Sequence, residues 1–273
     1  MSILMTDALV EHSRQCRLWV DLGVTLPAQA NRAASYDVMR DVSNDLVDAG
    51  RVSTWFFLHK PPGFRWRLQA ESEDDVAQIS SLATGALLDR AATVATPALY
   101  EPQFALFGGP ETMAWVHEGW AVDSELWSRW HATADPKPSR IATSLDALAD
   151  LFSRSGVEGW QDREVWRLVT TCTGRRVAPG SWERPEVARA AREIRLLWDR
   201  AWYDRPPHAP ASTLGPPSRT GPHPAARTDA GLTPRALLAH WVVFHWNRAG
   251  FAPGYQALIA EALMQRTPDD TTA

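Results

Sequence analysis

Three groups of residues combine the types and spacing that proton transfer or oxygen binding requires. Arg65 and Arg67 stand two apart in the alternating run Phe64-Arg65-Trp66-Arg67-Leu68-Gln69, so on a strand both guanidiniums leave the same face. Two neighbouring cations call for an anionic or carbonyl-rich ligand, or else for ion pairing with Glu71 or Glu73. Tyr100 and Glu101 end a second apolar run and precede Phe107-Gly108-Gly109, which sets a phenol and a carboxylate at a strand end. Strand ends often carry function, although a packed tyrosine has the same signature. The third group lies in Leu237–Arg248, an apolar helix pattern that carries His240, His245, Asn247 and Arg248. At 100° per residue, Trp241, His245 and Arg248 share one face, and His240, Val243 and Asn247 share another. Polar groups in so apolar a helix must find partners or line a pocket.

Several other chemistries have no footing here. The chain has no Gly-rich phosphate loop, no GxSxG elbow and no HExxH. Its 8 histidines lack metal-ligand spacing, and His117-Glu118 is an adjacent pair rather than an i, i+4 pair. Cys16 and Cys172 make neither a disulfide framework nor a zinc site, and Cys172 reads as a structural thiol. No metal or other cofactor is expected.

The elements that must hold these residues alternate in type over the first hundred positions. Cys16–Leu22 alternates as a strand, and Ala28–Asp48 has helical spacing with Gly50 as its stop. Val52–His59 is β-branched and aromatic, Lys60–Gly63 is a turn, and Phe64–Gln69 completes a hairpin. Asp74–Arg90 reads as a helix and Ala92–Tyr100 as a fourth strand. The order is β-α-β-β-α-β, the ferredoxin-like split pattern, over about residues 15–100.

The remainder reads as helical, over 110–203 and 234–266. Expected helices are Pro110–His131 (broken near Val122-Asp123-Ser124), Asp146–Ser153, Arg163–Cys172, Pro185–Tyr203, Thr233–Arg248 and Gly254–Arg266. The stretch 204–230 holds seven prolines and reads as a flexible lid or an inert linker. The expected class is therefore α+β, a single domain over 1–273.

Composition narrows the partners. Of 273 residues, 45% are hydrophobic and 22% charged, and Lys+Arg 28 against Asp+Glu 32 gives a net charge of −4. That charge offers no field for a nucleic-acid backbone. No apolar run reaches the roughly 18 residues of a membrane span, and MSILMTDALVEHSRQ has no signal-peptide pattern. A soluble cytoplasmic protein is expected. Tryptophan occurs 14 times, a choice that suits either a core or a groove for aromatic ligands.

WFFLHKPPGFRWRLQ (55–69), YEPQFALFGG (100–109) with Asp123-Ser124 beyond it, and HWVVFHWNRAG (240–250) resemble, in this order, the C-terminal elimination domain of lantibiotic dehydratases. The resemblance spans roughly residues 15 to 265. It implies that Arg65 and Arg67 match two arginines of the family's first motif. The second motif of that family reads Arg-Tyr-Gly-Gly, and this chain has Leu106-Phe107-Gly108-Gly109. The third carries a His four residues before an Asn-Arg pair, and this chain has Val243. The glutamate-binding Arg and the acid/base His of the family are thus apolar here.

That departure makes the chain look like the thiopeptide pyridine synthases, which share the fold. The resemblance implies a formal [4+2] aza-cycloaddition of two dehydroalanines in one precursor peptide, with loss of water and of the leader peptide. The expected substrate is a ribosomally made peptide with a leader and a thiazole- and dehydroalanine-containing core, handled alongside other enzymes of its pathway. Tyr100, Glu101, His240 and His245 are the expected proton-transfer groups. Arg65, Arg67, Trp120, Ser124, Trp241, Asn247 and Arg248 are expected along the substrate. Two other readings stand beside it: a stand-alone glutamate-eliminating domain, and a non-catalytic module that escorts a precursor peptide.

Overall fold

The computed structural model describes residues 18–26, 32–133, 137–204 and 232–265. The expectations for the N-terminal run, for Cys16 and Arg17, for residues 28–31, for residues 205–230 of the proline-rich stretch and for Arg266 lie outside these residues. The chain divides into two compact units, Met1–Ala105 with Gly109–Lys137, and Leu106–Gly108 with Pro138–Ala273.

In the first unit four strands, β1 (Trp19–Thr25), β2 (Val52–Lys60), β3 (Gly63–Ala70) and β4 (Val94–Ala98), pair antiparallel in the order β2-β3-β1-β4. Helices α1 (Arg32–Asp48) and α2 (Val76–Ala91) connect them, which gives the ferredoxin-like arrangement and the α+β class expected from the sequence. The alternation of β3 sorts its faces: Phe64, Trp66, Leu68 and Ala70 are buried, while Arg65, Arg67 and Gln69 are half-buried. α1 covers the Trp66 face. Trp66 Nε1 donates to Ser43 Oγ at 3.0 Å and Trp55 Nε1 donates to Asn44 Oδ1 at 3.3 Å. Gly63 is required where β3 meets β1, because a Cβ there would come within 2.0 Å of the Val24 carbonyl oxygen.

β4 is shorter than Ala92–Tyr100. It begins at Val94 and ends at Ala98, so Tyr100 lies past the strand. Pro97 sits on this edge strand, where a missing N–H is tolerated.

The expected break in the next helix does not occur, because α3 runs unbroken through Pro110–Ala132. Val122-Asp123-Ser124 are weak helix formers, but none of them is a breaker, and packing overrides their propensity. α3 packs along β2, the other edge of the sheet. Ser124 Oγ accepts the Phe57 backbone N–H at 3.1 Å, which satisfies a buried edge donor.

The second unit is helical: α4 (Arg140–Arg154), α5 (Asp162–Thr173), α6 (Pro185–Trp202), α7 (Pro234–Ala249) and α8 (Pro253–Met264). α4 begins six residues before the expected Asp146. Ser139 caps it, with Oγ accepting from Ala142 N, and Ile141 continues the buried stripe of Leu145, Leu148 and Phe152. α5 and α6 add Trp166 and Trp198, and α7 adds Trp246. The Trp166 ring meets Trp198 edge-on at 5.0 Å and lies parallel to Trp246 at 6.1 Å. Trp66, Trp120, Trp127, Trp166, Trp198 and Trp246 are all fully buried, so much of the tryptophan excess builds cores. Among the described residues no helix is long and apolar enough to cross a membrane.

Candidate functional site

The first unit brings several of the sequence-derived residues together on the sheet face opposite α1. Strand register places Asp21 across from Arg67 and Gly23 across from Arg65. The Asp21 carboxylate, 1% exposed, divides its oxygens between the two cations. Arg65 Nη1 lies 3.5 Å from Oδ1, and Arg67 Nε lies 3.3 Å from Oδ2. The pairing partner is therefore Asp21, not Glu71 or Glu73. The arginine side chains remain 24% and 16% exposed, which keeps them within reach of solvent.

Aromatic groups fix Arg67 from another side. Its guanidinium carbon lies 4.6 Å from the Tyr100 ring centroid and 5.4 Å from that of Phe56. The Tyr100 hydroxyl is hydrogen-bonded to His117 Nε2 at 2.6 Å, and both residues are buried. Trp19 packs at 4.8 Å from Tyr100 and 4.7 Å from His117, and Phe56 stacks on His117 at 5.5 Å. Trp120 closes this aromatic group, fully buried 5.1 Å from Phe56. Glu101 is exposed one residue on. Ser124 faces β2 rather than the arginines, through its bond from Phe57.

In the second unit α7 is buried nearly all round. Thr233 caps its start, and Gly250 ends it in the left-handed region at φ 75°. Trp241, His245 and Arg248 share the buried face that their spacing predicts. His245 Nε2 is hydrogen-bonded to Ser144 Oγ at 2.9 Å. The half-buried stripe is His240, Phe244 and Asn247. Burial lowers the His240 pKa below the usual imidazole range, which favours the neutral ring. Phe107 meets His240 at 6.1 Å and Phe244 at 5.6 Å, both edge-on. Asn247 Oδ1 accepts from Gln256 Nε2 at 3.0 Å, and Gln256 Oε1 accepts from Arg175 Nε at 2.8 Å. Val243 is buried and Leu106 half-buried. A cleft of about 240 Å³ in this unit is lined by Ser139, Arg140, Ile141, Phe251 and Tyr255, none of them singled out from sequence.

Sequence reasoning missed Asp21 and His117. Asp21 had a visible signal, since a carboxylate inside Trp19-Val20-Asp21-Leu22 falls on a strand whose neighbours are apolar. His117 had none, because only the fold brings it to Tyr100. A second phenol–imidazole pair, Tyr36 with His59 Nε2 at 2.5 Å, lies on the α1 side of the sheet, with His131 stacked on Tyr36 at 4.6 Å.

Residues 19–267 match the family model described as lantibiotic biosynthesis dehydratase C-term. No curated protein matches the chain. Two solved structures are similar in fold. One is the tRNA-dependent lantibiotic dehydratase MibB from Microbispora sp. 107891, with a TM-score of 0.52, 15% identity, and coverage of 90% of this chain. This chain spans 27% of the MibB chain. The other is TsrL, with a TM-score of 0.53, 16% identity, and coverage of 89% of this chain and 93% of that one.

Proposed function

The chain belongs to the lantibiotic biosynthesis dehydratase C-terminal family, and from that premise we propose that it modifies a ribosomally made precursor peptide by forming a pyridine. Two dehydroalanines of one peptide join in a formal [4+2] aza-cycloaddition, one of them reacting as a 2-azadiene through the iminol form of its amide. Loss of water, and then of the leader peptide as a carboxamide, leaves the aromatic ring. The sequence of steps is redox-neutral.

One observation carries the choice within the family. Leu106 and the buried Val243 stand where the resemblance expects an Arg and a His, while the Arg65–Arg67 pair is intact. A chain that keeps these two arginines but has apolar residues at those two positions suits ring closure better than removal of glutamate.

The chain's own residues meet the demands of that reaction as follows. Bringing two alkenes of a long peptide together is chiefly an entropy problem, and effective molarity can supply about 7–11 kcal/mol. Arg65 and Arg67 bind and polarise the amide oxygen that becomes the iminol. Proton transfers contribute ~10²–10⁴-fold for each well-placed group. Tyr100, Glu101 and His240 are the groups assigned to them, with His240 neutral and able to accept a proton. His245, bonded to Ser144 with both side chains buried, takes no part in these transfers, and Asn247, Trp241 and Arg248 shape α7 beside it. The escort-module reading draws support from Ser124 and His245, whose side chains bond within the fold rather than outward.

The test is incubation of the chain with a dehydrated, thiazole-containing precursor peptide, followed by mass spectrometry. Released leader carboxamide with a macrocycle lighter by leader and water is the expected result. Dehydroalanine made from a glutamylated peptide would support elimination instead, and binding without a mass change would support the escort module.

A further inference from the structure

We infer that Asp21 is a positioning residue that presets Arg65 and Arg67 as a clamp for a single carboxylate or polarised carbonyl oxygen of the peptide, with the Tyr100–His117 pair as the clamp's floor. The inference deepens the reading above and rests on its peptide substrate, though not on its ring-forming step.

The charge count sets the ligand class. Two guanidiniums and one buried carboxylate leave one net positive charge, enough for one anionic or strongly polarised oxygen. Without Asp21 the two cations, projecting from the same face of β3, would repel one another and spread over many rotamers. With it, one carboxylate oxygen faces each cation, at 3.5 and 3.3 Å. A clamp ordered before the ligand arrives spares binding that ordering cost.

The rest of the geometry serves the same end. Arg67 uses its Nε towards Asp21, and among the described residues its Nη atoms make no hydrogen bond, which leaves a donor fork for a ligand oxygen. Gly23 lies opposite Arg65, where a Cβ would stand 3.6 Å from Arg65 Nη1 and 3.3 Å from Thr96 Oγ1. A methyl there would be tight against Thr96 and in ordinary van der Waals contact with the cation. The Tyr100 ring sits 4.6 Å from the Arg67 guanidinium, and the 2.6 Å bond to His117 keeps that ring from turning.

The experiment uses the whole chain and two readouts. One is the ¹⁵N-edited NMR signal of the Arg67 Nε–H, assigned by its loss in Arg67→Lys. The other is the Kd of the dehydrated, thiazole-containing precursor, followed by tryptophan fluorescence. In the wild type the Nε–H signal should be sharp and slow to exchange. Asp21→Asn should broaden it and weaken peptide binding by about 10- to 100-fold, the scale of a misplaced binding group. Asp21→Glu should recover part of both effects, which a purely structural role would not do. If Asp21→Asn does not fold, His117→Gln replaces it, with a smaller shift in the same two readouts expected. An unchanged Nε–H signal and unchanged Kd in a folded variant would overturn the inference. Wild-type binding without ring formation would overturn the pyridine reading and leave the clamp standing.

Discussion

The Tyr100 hydroxyl lies 2.6 Å from His117 Nε2, and the same phenol ring carries the Arg67 guanidinium 4.6 Å from its centroid. One side chain thus links a buried base to a half-buried cation. Tyr100→Phe keeps the ring beneath Arg67 but removes the hydrogen bond. The variant should lose about 1–3 kcal/mol of stability and, through the lost proton, about 10²–10⁴-fold in product formation. Thermal melts and single-turnover rates separate the two effects. Wild-type rates in a stably folded Tyr100→Phe would remove the phenol from the chemistry.

Ser124 should behave differently. Its hydroxyl accepts the Phe57 N–H on the β2 edge, so Ser124→Ala leaves a buried donor without that acceptor. The expected cost is about 1–3 kcal/mol of stability, with peptide affinity unchanged. A variant that melts normally but binds the precursor poorly would place Ser124 on the substrate instead.

His240 should make folding sensitive to mild acid. Burial holds its folded pKa below the unfolded value of 6.5, so below pH 6.5 the unfolded chain takes up a proton that the folded one resists. Its contribution to stability is complete above pH 6.5 and is lost as pH falls towards the folded pKa. Urea midpoints from pH 7.5 to 5 should therefore fall more steeply for the wild type than for His240→Phe. Equal slopes would show that the ring is solvated in the folded state.

At alkaline pH the sign reverses. Burial raises the Tyr36 pKa well above the usual tyrosine value of 10.0, and Tyr255 is raised for the same reason. Each contributes stability that is complete below pH 10 and declines as pH rises, since only the unfolded phenol ionises readily. Tyr36→Phe should flatten the decline between pH 10 and 11 in denaturant titrations. No change in that limb would mean that the phenol reaches water.

Much of the first unit was legible because period-two alternation is unambiguous in residues 64–69, which put both arginines on one face. Gly50 marked the end of α1, and the Lys60–Gly63 turn marked the hairpin. The start of α4 was legible in principle: Ser139 is a good cap, and Ile141, Leu145, Leu148 and Phe152 follow helical spacing. The polar Arg140, Thr143 and Ser144 between them masked it. α3 read as broken because Val122-Asp123-Ser124 are poor helix formers, whereas the β2 edge rewards a continuous helix that presents Ser124. The partners of the candidate groups were less accessible. Asp21 meets Arg67 across 46 positions and His117 meets Tyr100 across 17; strand pairing and helix docking create those contacts, and no local spacing encodes them.

The most direct test of the proposed activity is the mass of the products when the full chain meets a dehydrated, thiazole-containing precursor with no other enzyme present. Pyridine formation predicts two species, the leader as its carboxamide and a macrocycle lighter by that leader and one water. Recovery of the cognate precursor at unchanged mass, under conditions where it is bound, would contradict the account.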